Sequence, residues 1–148
     1  MKKIILAILD GMGLREETYG NAVKNAKTKA LDKLIKEFPH SKLDASGEAV
    51  GLPKGQMGNS EVGHITIGTG RIIDQPLQKI NKALEDGSFY INKNIVEAIN
   101  YAKTHNSKLH ILGLLSDGGV HSHINHIFAL IKMAKKENIK DLYIHVFL

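Results

Sequence analysis

The stretch "KLHILGLLSDGGVHSHINHIFALIKMAKKENIKDLYIHVFL", residues 108–148, decides the fold class. It opens on a continuous apolar run, "KLHILGLL" at 108–115, and breaks at the loop "SDGGVHSH" at 116–123. Ile124, Ile127, Phe128 and Ile131 then recur at helical spacing, and a second apolar run, "DLYIHVFL", closes the stretch at 141–148. Short continuous apolar runs suit strands covered on both faces, and a helix between two of them is the connection that parallel strands require. The spacing therefore predicts strand, loop, helix, strand, and an α/β class with a parallel sheet and flanking helices.

The same grammar extends toward the amino terminus. "IILAIL" at 4–9 is another continuous apolar run, ended by "DGMG", and predicts a buried strand with Asp10 at its carboxyl end. The two lysines before it suggest a signal peptide, but the run stops at Asp10 and no small-residue cleavage site follows. From Thr28, an N-cap residue type, Leu31, Leu34, Ile35 and Phe38 mark a core-facing helix that Pro39 ends. Pro76 opens a further helix, with Leu77, Ile80, Ala83 and Leu84 on one face and Gly87 as its stop. Another carries Ile95, Val96, Ile99 and Ala102. Between Leu43 and Asp74 lies a glycine-rich segment with little periodicity, longer than an ordinary connection inside a compact domain. This places a domain boundary near residue 75, between a first unit at 1–74 and a second at 75–148. The last strand runs to residue 148 with no loop after its carboxyl end, where parallel sheets place their ligand loops, so the chain reads as truncated.

Composition narrows the function. A chain that is 43% hydrophobic and 24% charged has a soluble globular balance. Without cysteine, disulfides and thiolate metal sites are excluded. The net charge of +5 comes from lysines scattered among acidic residues, with four Tyr and four Phe for stacking, which favours a small anionic substrate or a solvated surface over nucleic acid. No apolar stretch approaches the roughly 20 residues of a bilayer span.

The chemistry concentrates in "GQMGNSEVGH" at 55–64. Gly55, Gly58 and Gly63 permit close backbone approaches, and a helix starting after Ser60 would favour a phosphate there. Ser60 also fits a plain N-cap with "NSEVGH" as first turn, and both readings stand. The loop is neither a Walker A sequence nor a G-x-S-x-G elbow. A serine alone is a weak nucleophile and needs a base or a metal, and Asp10 is the carboxylate placed to hold one. "HSHINH" at 121–126 puts three imidazoles in six residues, readable as a zinc cluster or, for His123 and His126, as polar residues at a helix start. His64 reads as a hydrogen-bond partner that organises the loop, Glu48 and Glu61 as supporting or surface carboxylates, and His110 and His145 as structural.

Together "ILDGMG", "ASGEAVGLPKGQMGNSEVGH", "IGTGR", "INKALEDGSF" and "GLLSDGGVHSHINH" resemble, in order and spacing, the amino-terminal part of cofactor-independent phosphoglycerate mutase, of the alkaline phosphatase superfamily. The resemblance covers almost the whole chain. It implies the start of an alkaline-phosphatase-like metal-binding domain at 1–74 and the start of an inserted phosphotransferase domain at 75–148. It further implies interconversion of 2-phosphoglycerate and 3-phosphoglycerate in glycolysis and gluconeogenesis through a phosphoserine. Ser60 matches the nucleophile, Asp10 and Ser60 match ligands of one of two manganese ions, and His121 matches a substrate-binding histidine. The complete enzyme is expected to use no bisphosphoglycerate, to act in the cytoplasm as a monomer, and to bind neither nucleic acid nor membrane. The 148-residue chain alone is expected to be inactive. A related metal-dependent phosphohydrolase and a non-catalytic product are the alternatives. Met12 stands where the family favours an aromatic residue and Asn125 where aspartate is common, and the family's later arginines and remaining metal ligands lie beyond these motifs.

Overall fold

A computed structural model describes residues 3–148. In chain order the elements are α1 (Ala22–Asn25), α2 (Lys29–Glu37), α3 (Ser60–Thr69), α4 (Pro76–Glu85), α5 (Lys93–Thr104), β1 (Leu109–Leu114), α6 (Ile124–Lys136) and β2 (Leu142–Phe147). Two 3-10 turns, Gly47–Val50 and Ser88–Ile91, complete them. No described helix is long and apolar enough to cross a membrane.

The carboxyl-terminal half is a β-α-β unit. β1 and β2 pair in parallel, Leu109 opposite Leu142 and Leu114 opposite Phe147, with α6 as the crossover. Strand alternation places Leu109, Ile111 and Gly113 on one face and His110, Leu112 and Leu114 on the other. Ile111 and Ile127 are buried, and a Cβ on Gly113 would come within 3.3 Å of Ile127 Cδ1, so the glycine lets α6 settle onto the sheet. Ile99 and Ala102 of α5 and Ala129, Met133 and Ala134 of α6 complete the buried set here. His110 Nδ1 and His145 Nε2 lie 2.9 Å apart with their rings stacked, sharing a proton across adjacent strands. Both lie in strands, where the sequence pattern puts them.

α4 begins at Pro76, as the sequence predicts, and passes its end to Gly87, whose φ of 82° is the left-handed conformation glycine tolerates. It joins α6 through a half-buried hydrogen bond in which His126 Nε2–H donates to Asn81 Oδ1 at 2.7 Å.

Two expectations in the amino-terminal half are overturned. Residues 4–9 form no strand: the segment is irregular, with Ile4 93% and Ile5 92% exposed. A strand needs ladder partners and cover on its faces, and the sheet among the described residues consists of β1 and β2 alone. α2 forms where predicted but buries nothing, leaving Leu34, Ile35 and Phe38 exposed. Spacing fixes a helix's apolar stripe, whereas burial needs a surface opposite it. Thr28 stands at the cap position, but its hydroxyl donates to Asp32 Oδ1 at 2.9 Å instead of capping.

The segment 43–74 is more ordered than its aperiodic sequence predicts. Gly47 N donates to Gln56 O at 2.9 Å, and Leu52 N to Gly47 O at 3.0 Å, closing a loop over the buried cluster Val50, Leu52 and Val62. Gln75 N then donates to Gly51 O at 2.8 Å, tying the start of α4 to this loop. Gly51 has φ of 79°, and a Cβ there would lie 2.0 Å from Ile73 O. A Cβ on Gly58 would lie 1.7 Å from Ala45 O.

The solvent-accessible surface is 12082 Å², against about 7,500 Å² expected of a compact monomer of 16.3 kDa. The excess includes the apolar segment 4–9, α2 and the Leu112, Tyr143 and Phe147 face of the sheet.

Three outcomes are expected. Gly51→Ala should lose at least about 2 kcal/mol of stability, from the left-handed backbone and the clash with Ile73 O. Gly63→Ala, inside α3 with open space at its Cβ, should gain about 0.5–1 kcal/mol; urea denaturation of both variants checks the contrast. Next, the purified chain should bind 1-anilinonaphthalene-8-sulfonate and sediment as more than a monomer, because it exposes so much apolar surface. A monodisperse monomer without dye binding would contradict this. Last, burial, and secondarily the nearby His123, hold the His126 imidazole below its ordinary value of 6.5. The neutral ring's contribution is therefore complete above that value and is lost as pH falls through the folded pKa. Stability should decline from pH 7 to pH 5, and His126→Gln should flatten the decline.

Candidate active site

The site is built on the first turn of α3. Asn59 is extended, at φ −144° and ψ 172°, and its side chain accepts a hydrogen bond from Val62 N at 3.1 Å. Asn59 is thus the N-cap and Ser60 the first helical residue, which corrects the reading of Ser60 as a cap. The N-cap position is held by Asn59, whose side-chain oxygen accepts from Val62 N, leaving the serine hydroxyl free for another partner. Gly58 permits the approach to the helix by passing close against Ala45 O.

That partner comes from 50 residues away. Ser60 Oγ donates to Asp10 Oδ2 at 2.5 Å. Asp10 is carried by a turn, with Met12 N donating to Leu9 O at 3.1 Å and Gly11 at φ 83°, and not by the end of a strand. One helical turn after Ser60, His64 Nδ1 lies 2.8 Å from Ser60 O and 3.3 Å from Ser60 Oγ. A carbonyl only accepts, so Nδ1 carries the proton of this hydrogen bond. His64 is thus the organising hydrogen-bond partner expected of it, within a helix instead of a loop. The i, i+4 spacing of Ser60 and His64 is the signal that locates it once α3 is recognised.

The loop between β1 and α6 carries His121. Leu115 N donates to Phe147 O at 2.9 Å and Ile124 N to Ser116 O at 2.8 Å, which close the loop at both ends. The three imidazoles of "HSHINH" diverge. His121 is exposed. His123 caps α6, its Nδ1 accepting from Asn125 N at 3.1 Å. His126 turns inward to Asn81. The zinc-cluster reading therefore fails: among the described residues no group of three or more His, Asp or Glu side chains is placed to hold a metal ion. The reading of His123 and His126 as helix-start residues holds, with His123 the cap and His126 in the first turn, from which it also joins α6 to α4.

A cleft of about 320 Å³ connects the two loops, with Gln56, Asn59, Glu61, Gln75, Pro76 and His121 among its lining. The structure thus brings Asp10, Ser60 and His64 together, and sets His121 on a cleft shared with the two residues that flank Ser60. Glu61, exposed in the first turn of α3, faces this cleft, and Glu48 lies exposed in the 3-10 turn. A larger opening of about 360 Å³ lies between α5 and β1 and contains neither the serine nor His121.

Chemically, Ser60 Oγ and the Asp10 carboxylate are two hard oxygen donors side by side, a set that fits part of the shell of a divalent cation such as manganese. They supply two ligands, and a closed site needs more. Residues 80–148, from within α4 through β2, match the family model described as BPG-independent PGAM N-terminus (iPGM_N), so this segment is similar to the amino-terminal part of the cofactor-independent phosphoglycerate mutases.

Proposed function

We propose that this chain is the amino-terminal part of an enzyme that interconverts 2-phosphoglycerate and 3-phosphoglycerate through a phosphoserine at Ser60. The observation that carries the reading is the convergence of Asp10 and Ser60, residues far apart in sequence whose side chains meet at 2.5 Å on the first turn of α3. The family match supports it from the other half of the chain, since the matched residues include His121 but neither Asp10 nor Ser60. In this reading residues 1–74 begin a phosphatase-like metal-binding domain and residues 75–148 begin the inserted phosphotransferase domain. The enzyme is a cytoplasmic monomer of glycolysis, acts on a small molecule, and needs no bisphosphoglycerate because the phosphoryl group travels through the protein.

Each residue has a physical task. The hydroxyl proton of Ser60 is already directed at Asp10 Oδ2, so the oxygen lone pairs face away from the carboxylate and toward an incoming phosphorus. The bond from Oγ to phosphorus forms as the ester bond to the glycerate breaks, and the departing glycerate oxygen takes up a proton. The second transfer reverses these events on the neighbouring hydroxyl. The free N–H groups of the α3 first turn, where the helix dipole is positive, lower the energy of phosphate charge at Ser60. His64 holds Ser60 through its carbonyl, fixing the residue from which Oγ projects. Asp10 and Ser60 would hold one manganese ion, which when bound supplies positive charge that favours the alkoxide form of the serine. His121 offers a ring N–H to the carboxylate or phosphate of the substrate.

The test uses the enzyme that carries this amino-terminal part, incubated with manganese and 3-phosphoglycerate and read by tandem mass spectrometry and turnover. Phosphate is expected on Ser60. Ser60→Ala should abolish it and lower turnover by several orders of magnitude. His121→Ala should keep the phosphoserine and lose about 1.5–3 kcal/mol, roughly 10- to 100-fold. The isolated 148-residue chain should show no interconversion. Near-normal turnover in Ser60→Ala would remove the proposal.

A further inference from the structure

Two buried side-chain polar atoms among the described residues have no hydrogen-bond partner: Gln56 Oε1 and Ser122 Oγ. Both belong to the same neighbourhood. Gln56 lines the cleft that His121 also lines, and Ser122 follows His121 in the chain. Native proteins rarely leave such atoms unpaired, and an orphan beside a cleft points to a partner that arrives with a ligand.

The root of Gln56 is fixed. Its carbonyl accepts from Gly47 N at 2.9 Å and its N–H donates to Pro53 O at 3.1 Å, so the side chain projects from a closed loop and not from a mobile segment. An amide oxygen only accepts, so the missing partner is a donor. The neighbouring cleft residue Glu61 also presents acceptor oxygens at neutral pH and would repel an anion. His121, in contrast, offers a donor to anionic groups. The cleft lining therefore combines a donor suited to a negatively charged group, His121, with acceptors suited to a hydroxyl, Gln56 and Glu61.

We propose that Gln56 is a positioning residue whose side-chain oxygen accepts a hydrogen bond from the free hydroxyl of a small phosphorylated hydroxy acid lying in this cleft. The inference rests on the function proposed above and adds a specificity element to it. Of the three functional groups on a phosphoglycerate, the carboxylate and the phosphate ester are acceptors near neutral pH, and the hydroxyl alone donates. A site that reads the hydroxyl orients the group that must receive the phosphoryl, and discriminates against ligands that lack it.

The experiment titrates the isotope-labelled chain with 3-phosphoglycerate and, separately, with its deoxy analogue 3-(phosphonooxy)propanoate, following backbone amides and the Gln side-chain NH₂ pair by NMR. The Gln56 pair is assigned by its loss in Gln56→Leu. With 3-phosphoglycerate, the Ser60 and His121 amides and the Gln56 NH₂ pair should shift together. The native chain should bind the deoxy analogue about two- to tenfold more weakly, the span of one neutral hydrogen bond. Gln56→Leu should bind the two ligands equally. Gln56→Glu, which keeps an acceptor, should retain the preference and guards against a leucine variant that folds poorly. If Ser60 and His121 respond but Gln56 does not, or if the native chain binds the two ligands equally, the role of Gln56 is overturned while the functional reading stands. If neither ligand moves any site resonance, the functional reading fails for this chain and the inference fails with it.

Discussion

The passage of Ile73 and Asp74 against Gly51 is the contact on which the arrangement of the site depends. Gln75 N donates to Gly51 O at 2.8 Å, and the missing side chain of Gly51 admits the backbone of Ile73 where a Cβ would stand 2.0 Å from its oxygen. This fastens the start of α4 to the loop that leads into α3. α4 in turn holds α6 through Asn81 and His126, and α6 begins at the loop that bears His121. The cleft between the serine helix and the histidine loop follows from this chain of contacts. A side chain at position 51 would push the two apart.

The two halves of the chain are stabilised unequally, for one reason. The β1, α6, β2 unit closes its own ladder and buries Ile111, Ile127 and Met133 between layers. The first forty residues contain apolar segments of similar quality but find no apposed surface, so their hydrophobic groups remain in water. Ion pairs do not compensate: those linking Lys24 to Glu16, Lys82 to Asp74 and Lys103 to Glu137 are exposed, where such pairs contribute little. The serine and Asp10 therefore meet at the border of a well-packed region and a poorly covered one.

Electrostatics inside the site are set by short-range geometry and not by net charge. Asn59 caps α3, which frees the Ser60 hydroxyl for Asp10, and the Nδ1–H of His64 is directed to the Ser60 carbonyl. Three neighbouring residues of one helix turn thus take three different hydrogen-bonding tasks. The scattered lysines lie on the surface and take no part in the contacts of Ser60.

The local rules of the chain sufficed for much of this. Periodicity and capping chemistry place α4, α5, β1, α6 and β2, because each is specified by residues within one or two turns of each other and is then covered by its neighbours. Residue types draw attention to Ser60 and Asp10, a hydroxyl among glycines and a carboxylate after an apolar run, and the family resemblance adds His121. Tertiary structure decided the rest. Whether "IILAIL" is a strand depends on ladder partners that no local pattern encodes, and here it has none. Whether α2 is a core helix depends on what lies opposite Leu34 and Phe38. Only the start of α3 was legible in its aperiodic, glycine-rich sequence, because the helix is held by the Asn59 cap and the burial of Val62, not by an amphipathic stripe. The divergence of the three imidazoles at 121–126 and the orphaned oxygen of Gln56 are facts about directions in space, and a one-dimensional spacing contains no directions.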